Sequence, residues 1–160
     1  MPTSKIHLQP GDKAPPFSLL NQDNQKVSLK DFNGQNLVIY FYPADDTPGC
    51  TTEACQFNDN LQAFGHLGVT VLGISPDDAV SHKRFREKYK LGLTLLSDAN
   101  HEVMSLYGAW GTKTLYGKTT VGVIRSTFLI GTDGKIIRSW YGVHADGHAG
   151  KVLAALDNIK

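Results

Sequence analysis

Leu37-Val38-Ile39-Tyr40-Phe41-Tyr42 is a nearly unbroken apolar run of strand length. A strand with one wet face alternates polar and apolar residues, so a run that is apolar throughout asks for cover on both faces. A chain containing it must build a sheet and pack other elements against both sides. The residues that follow narrow the choice further. Thr47-Pro48-Gly49-Cys50 reads as a helix entry: threonine can cap through its hydroxyl, proline suits the first helical position, and glycine allows close approach to the backbone. A buried strand therefore runs directly into a helix.

The rest of the chain repeats that logic. Phe17–Leu20 and Lys26–Leu29, separated by polar Asn21–Gln25, read as an N-terminal hairpin. Phe57, Leu61 and Phe64 give the helix behind Cys50 a core-facing stripe down to Gly65. Val69–Ile74 is a second buried strand, and Ser75-Pro76-Asp77-Asp78 opens a second helix with Lys88 and Lys90 near its end. On that helix Lys83, Arg84, Arg86 and Lys88 read as a solvated face, with Phe85 and Tyr89 on the buried side. Leu93–Leu96 adds a short strand and His101–Tyr107 a short helix. Ser126–Ile130 and Lys135–Trp140 flank Gly131-Thr132-Asp133-Gly134, a hairpin signal. After the glycine-rich Gly142–Gly150 segment, Val152, Leu153, Leu156 and Ile159 form the stripe of a closing helix. The expectation is an α/β chain with a mixed central sheet, flanking helices and an N-terminal β-hairpin extension. That order matches the thioredoxin fold, and with no repeat or linker, one domain is expected to fill residues 1–160.

The chain holds only two cysteines, Cys50 and Cys55. Cys50 falls in the first turn of the expected helix, where unpaired N–H groups and the positive end of the macrodipole favour an anion. The thiolate is the reactive form of cysteine. An ordinary thiol needs about 2 kcal/mol of differential stabilisation to ionise mostly at neutral pH, whereas a helix end supplies about 0.3–1 kcal/mol. A cation brought close by the fold, or good hydrogen-bond donors to the sulfur, should supply the remainder. Residues five apart on an ideal helix have Cα atoms about 8.6 Å apart, beyond the ~7 Å reach of a disulfide. If Cys50 and Cys55 bond, the first turns must unwind, so the pair reads as a reactive and a resolving thiol rather than a permanent staple.

Composition removes several classes of function. A formal charge of +1 over 160 residues gives no large basic face for nucleic acid, and no apolar run approaches a membrane span. Met1–His7 lacks the apolar core of a secretory signal, so a cytoplasmic location is expected. Two cysteines in a reducing compartment favour transient redox work. His7, His66, His82, His101, His144 and His148 show no metal-ligand spacing with the cysteines and are read as surface residues, with His144 and His148 in a loop. No phosphate loop or dinucleotide fingerprint appears, so neither a cofactor nor a metal is expected.

These residues resemble the peroxiredoxins, in particular the bacterioferritin comigratory protein (peroxiredoxin Q) branch. The resemblance is carried by Gly11-Asp12-Lys13-Ala14-Pro15-Pro16-Phe17, by Tyr40-Phe41-Tyr42-Pro43 leading into Thr47-Pro48-Gly49-Cys50-Thr51, and by Gly122–Ile130, and it spans nearly the whole chain. Cys55, five residues after Cys50, marks one form of that branch. The resemblance implies that Cys50 attacks a peroxide, that Pro43, Thr47 and Arg125 complete its site, and that the resulting sulfenic acid condenses with Cys55. It further implies a thioredoxin or glutaredoxin-type reductant and a monomer. Arg125 would be the cation that the thiol requires, Thr47 would hydrogen-bond sulfur and peroxide, and Pro43 would shield the site from water. The competing reading is a non-enzymatic redox sensor or holdase switched by Cys50 oxidation, and turnover with a supplied reductant separates the two. A disulfide oxidoreductase would carry Cys-x-x-Cys, which this chain lacks.

Overall fold

The computed structural model describes residues 7–115 and 117–156. The first six residues of the Met1–His7 segment and the last apolar position of the closing helix, Ile159, lie outside them. The elements run β1 (Ser18–Asn21), β2 (Lys26–Ser28), a 3-10 turn (Leu29–Phe32), β3 (Asn36–Phe41), α1 (Pro48–Asp59), α2 (Leu61–His66), β4 (Val69–Ser75) and α3 (Ala79–Tyr89). They continue with β5 (Thr94–Ser97), α4 (Glu102–Tyr107), β6 (Trp110–Leu115), β7 (Lys118–Val123), β8 (Ser126–Ile130), β9 (Ile136–Tyr141) and α5 (His148–Leu156).

Seven strands form one mixed sheet in the order β2-β1-β5-β4-β3-β8-β9. β3 lies inside it, parallel to β4 and antiparallel to β8. Side chains alternate across a strand, so β3 feeds two apolar layers. Val38, Tyr40 and Tyr42 pack with residues of α1, α2, α3 and α5, including Phe57, Phe64, Phe85 and Val152. Leu37, Ile39 and Phe41 pack on the other face with Phe17 and with Val103, Met104 and Tyr107 of α4. This two-sided burial is what the apolar run requires.

Two features differ from the sequence expectation, the interruption of the helix behind Cys50 and the ribbon of β6 and β7. The helix behind Cys50 is interrupted: Asn60, at φ −102° and ψ 4°, separates α1 from α2, and its side chain donates to Gln56 O at 2.8 Å. The N-terminal hairpin forms as expected and joins the main sheet through β1 and β5. β6 and β7 form a separate two-stranded antiparallel ribbon that the sequence pattern did not signal. The second helix starts as expected, with the Asp78 carboxylate accepting from Ser81 N–H at 2.9 Å. Its four basic residues lie on the wetter face, while Phe85 is buried.

Candidate active site

Topology brings the helix entry and Arg125 together. Phe41 at the end of β3 pairs with Ser126 at the start of β8, so the residue preceding β8 lies where the chain leaves β3 for α1. Arg125 is held there by its carbonyl, which accepts from Val143 N–H at 3.0 Å. Its Nη2 donates to Cys50 Sγ at 3.3 Å, and its Nη1 donates to Glu53 Oε1 at 2.6 Å. A Cβ on Gly49 would stand 3.3 Å from Nη2, so glycine leaves room for the guanidinium.

Cys50 is the third residue of α1 and is 2% exposed. The first intrahelical bond, Thr51 N–H to Thr47 O at 2.8 Å, leaves the Gly49 and Cys50 N–H groups at the open end of the helix beside the sulfur. A guanidinium and a helix N-terminus thus converge on one sulfur. Thr47 takes the cap position by its extended backbone, but its hydroxyl donates to Ala44 O at 2.9 Å instead of capping α1. That bond commits the hydroxyl proton and leaves the oxygen free to accept. Pro43 lies on the same loop and, with Trp110, Val123, Arg125, Tyr141 and Val143, lines a cavity of about 970 Å³ opening beside Arg125.

Glu53 was not singled out by the sequence reading, although its spacing of three from Cys50 puts it on the same helix face. It is fully buried, and burial outweighs the Arg125 pairing to push its carboxyl up to about 7. Its second oxygen, Oε2, has no hydrogen-bond partner among the described residues. Arg125 is therefore shared between a sulfur and a carboxyl that titrates near neutrality.

Cys55 lies in the same continuous helix, half-buried against the apolar layer around Phe57. Burial and the nearby Asp59 raise its thiol above the ordinary value, which keeps it protonated at rest. Both cysteines are free. Gln56 fastens α1 to the segment before α5, donating to Asp146 Oδ1 and accepting from Gly147 N–H, each at 2.7 Å.

Two histidines depart from the surface reading. His82 is completely buried, and His148, 3% exposed, begins α5 instead of lying in a loop. His148 Nε2 is 2.7 Å from Thr127 Oγ1 and its ring packs edge-on against Phe57 and Trp140. Each is buried because a polar partner reaches it from elsewhere in the chain. Among the described residues, Asp45, Asp77 and His82 place ligand-type atoms within 4.8 Å of one another. Those atoms are already bonded within the protein: His82 Nδ1 meets Asp45 Oδ2 at 2.7 Å, and Asp77 Oδ2 accepts from Asp45 N–H at 2.7 Å. No helix among the described residues is long and apolar enough to cross a membrane.

Comparison with known proteins bears on this geometry. Residues 10–139 match the AhpC/TSA family. The peroxiredoxin Bcp of Escherichia coli K12 is 47% identical over 146 residues, covering 91% of this chain and 94% of its own. The chain is a peroxiredoxin of the Bcp (peroxiredoxin Q) branch. A cysteine-to-serine variant of Xylella fastidiosa PrxQ superposes with a TM-score of 0.89 at 36% identity, covering 96% of this chain and 98% of that one. The Xanthomonas campestris bacterioferritin comigratory protein, studied for alkyl peroxide reduction through a trapped intermediate and ligand complexes, superposes at 0.84 with 38% identity over 89% and 90% of the two chains. The peroxiredoxin fold is that of thioredoxin, and the activity of the family is thiol-dependent peroxide reduction. A peroxide substrate and a thiol reductant follow from membership.

Proposed function

We propose that this peroxiredoxin, one thioredoxin-like domain over residues 1–160, reduces hydrogen peroxide and organic hydroperoxides through Cys50 and Cys55 and is recycled by a thioredoxin or glutaredoxin-type dithiol. The observation that carries the assignment is the 3.3 Å contact from Arg125 Nη2 to Cys50 Sγ at the open end of α1. The Cys50 thiolate attacks one peroxide oxygen, the O–O bond breaks, and the departing oxygen leaves as water or an alcohol after taking a proton. Arg125 and the free N–H groups stabilise the charge that develops on that oxygen. The Thr47 oxygen is available to accept from the peroxide hydroxyl, and Pro43 limits water at the sulfur. The cavity beside Arg125 would take the organic part of a larger hydroperoxide.

Cys50 sulfenic acid then condenses with the Cys55 thiol, releasing water and forming a disulfide, which stops further oxidation. Both sulfurs occupy one helix, so α1 must open first, and opening also frees Cys55 from the burial that keeps it protonated. An external dithiol reduces the bond by thiol–disulfide exchange. The protein is proposed to work as a cytoplasmic monomer. The test is peroxide consumption with thioredoxin and its reductase supplied: the wild type turns over many equivalents and Cys50→Ser none. Appreciable turnover by Cys50→Ser would overturn the assignment.

A further inference from the structure

On the α3 side of the Pro43–Thr47 loop lies a buried polar cluster centred on Asp45 and His82. His82 Nε2 is 2.9 Å from Leu96 O, an acceptor only, so Nε2 carries a proton. Nδ1 meets Asp45 Oδ2 at 2.7 Å, with the two side chains 0% and 4% exposed. Asp45 Oδ1 also accepts from the Tyr42 hydroxyl, and Oδ2 from the Ser81 hydroxyl at 2.8 Å. The Asp45 N–H donates to Asp77 Oδ2, which also accepts from the Ser75 hydroxyl at 2.8 Å. One residue of the loop is thus tied to the ends of β3 and β4, to α3 and, through His82, to β5.

A buried polar pair of this kind is costly to desolvate, and apolar residues of similar volume are often as stable. What the pair adds is orientation. The Asp45 N–H and the Ala44 carbonyl belong to one planar peptide, and that carbonyl accepts the Thr47 hydroxyl at 2.9 Å. Fixing Asp45 on both its side chain and its N–H therefore fixes the plane that aims the Thr47 oxygen. The next residue, Asp46, is held at φ 57° with its carboxylate bonded to Lys88 and Tyr89, so the loop has little freedom to compensate.

We propose that Asp45 and His82 are a positioning pair for the Cys50 reaction, their buried contact orienting the Ala44–Asp45 peptide and through it the Thr47 hydroxyl at the entry to α1. This rests on Cys50 being the peroxide-reactive thiol. Neither residue touches the sulfur, so the loss of either should impair reaction with peroxide without impairing the thiolate as such.

The experiment compares two rates in reduced Asp45→Asn, His82→Gln and the double variant, each per folded molecule as measured by denaturant unfolding. One is the second-order rate with hydrogen peroxide; the other is alkylation of Cys50 by iodoacetamide in a Cys55→Ser background, which needs the thiolate but no aimed hydroxyl. The peroxide rate should fall about 10- to 100-fold in each single variant, alkylation should hold or rise, and the double variant should fall no further than the worse single. Peroxide rates within about twofold of wild type, or peroxide and alkylation rates falling together, would overturn the positioning role. If Asp45→Asn fails to fold, Ser81→Ala removes one donor to Oδ2; a lowered peroxide-to-alkylation ratio supports the proposal and an unchanged one rejects it. A wild type that consumes no peroxide would overturn the functional reading itself, a result distinct from unaffected variants of an active enzyme.

Discussion

Replacing Glu53 with glutamine should make the protein progressively more stable than wild type as pH rises. Glu53 is 0% exposed, and its carboxyl is pushed from the ordinary 4.5 up to about 7, chiefly by burial. A carboxyl raised in the folded state binds its proton more tightly there than in the unfolded chain. The resulting stabilisation is fully present below pH 4.5 and is lost as pH rises through about 7. At ~1.4 kcal/mol per pH unit, that interval is worth about 3 kcal/mol. Glutamine retains the volume and an acceptor for Arg125 but does not titrate. Urea unfolding of both proteins, in a Cys50→Ser background so that the neighbouring thiol does not contribute, should show similar stabilities at about pH 4, with the glutamine form gaining up to about 3 kcal/mol by about pH 8. Parallel stability curves across that range would mean that burial does not hold a proton on Glu53.

His148 should give the opposite slope. Burial, with Lys151 and Arg125 nearby, lowers it from 6.5 to about 4, so its contribution is present above pH 6.5 and is lost as pH falls toward about 4. His148→Gln should therefore lessen the acid sensitivity of unfolding by about 3 kcal/mol at ~1.4 kcal/mol per pH unit, and an unchanged acid limb in denaturant titrations would reject this. Arg125→Ala should slow the peroxide reaction by more than its effect on the thiolate fraction, followed by ultraviolet absorbance, can explain. Arg125→Lys should rescue it only in part, because one ammonium cannot serve both Cys50 and Glu53 in the planar geometry of the guanidinium. Oxidation to the disulfide should accelerate amide exchange across Pro48–Phe57 while β3 and α5 stay protected; equal exchange in the two redox states would contradict the unwinding of α1.

The legible parts of this fold were those in which a single segment carries its own pattern. The Leu37–Tyr42 run announces a strand buried on both faces, and β3 feeds two apolar layers as that requires. Asp78 at the head of α3 and the turn Gly131–Gly134 are short-range signals of the same sort, and the structure uses both. β6 and β7 were invisible because residues such as Lys113, Thr114, Lys118, Thr119 and Thr120 are exposed on a ribbon, and without a buried face there is no periodicity to read. His82 and His148 look like surface residues until Asp45, 37 positions away, and Thr127, 21 positions away, supply partners. Glu53 carried a usable signal in its spacing from Cys50, but its burial depends on Arg125, 72 positions later. Pairings at such separations are decided by sheet order, which no local window contains.

Whether oxidation begins at Cys50 and ends in a bond to Cys55 can be read from the intact mass of the reduced protein after one equivalent of hydrogen peroxide. Wild type should lose two hydrogens, with peptide mapping placing the bond between Cys50 and Cys55, whereas Cys55→Ser should gain one oxygen on Cys50 and take up more as peroxide is added. An oxygen retained by wild type with no loss of hydrogen, or a Cys55→Ser protein that takes up no oxygen at Cys50, would contradict that course of oxidation.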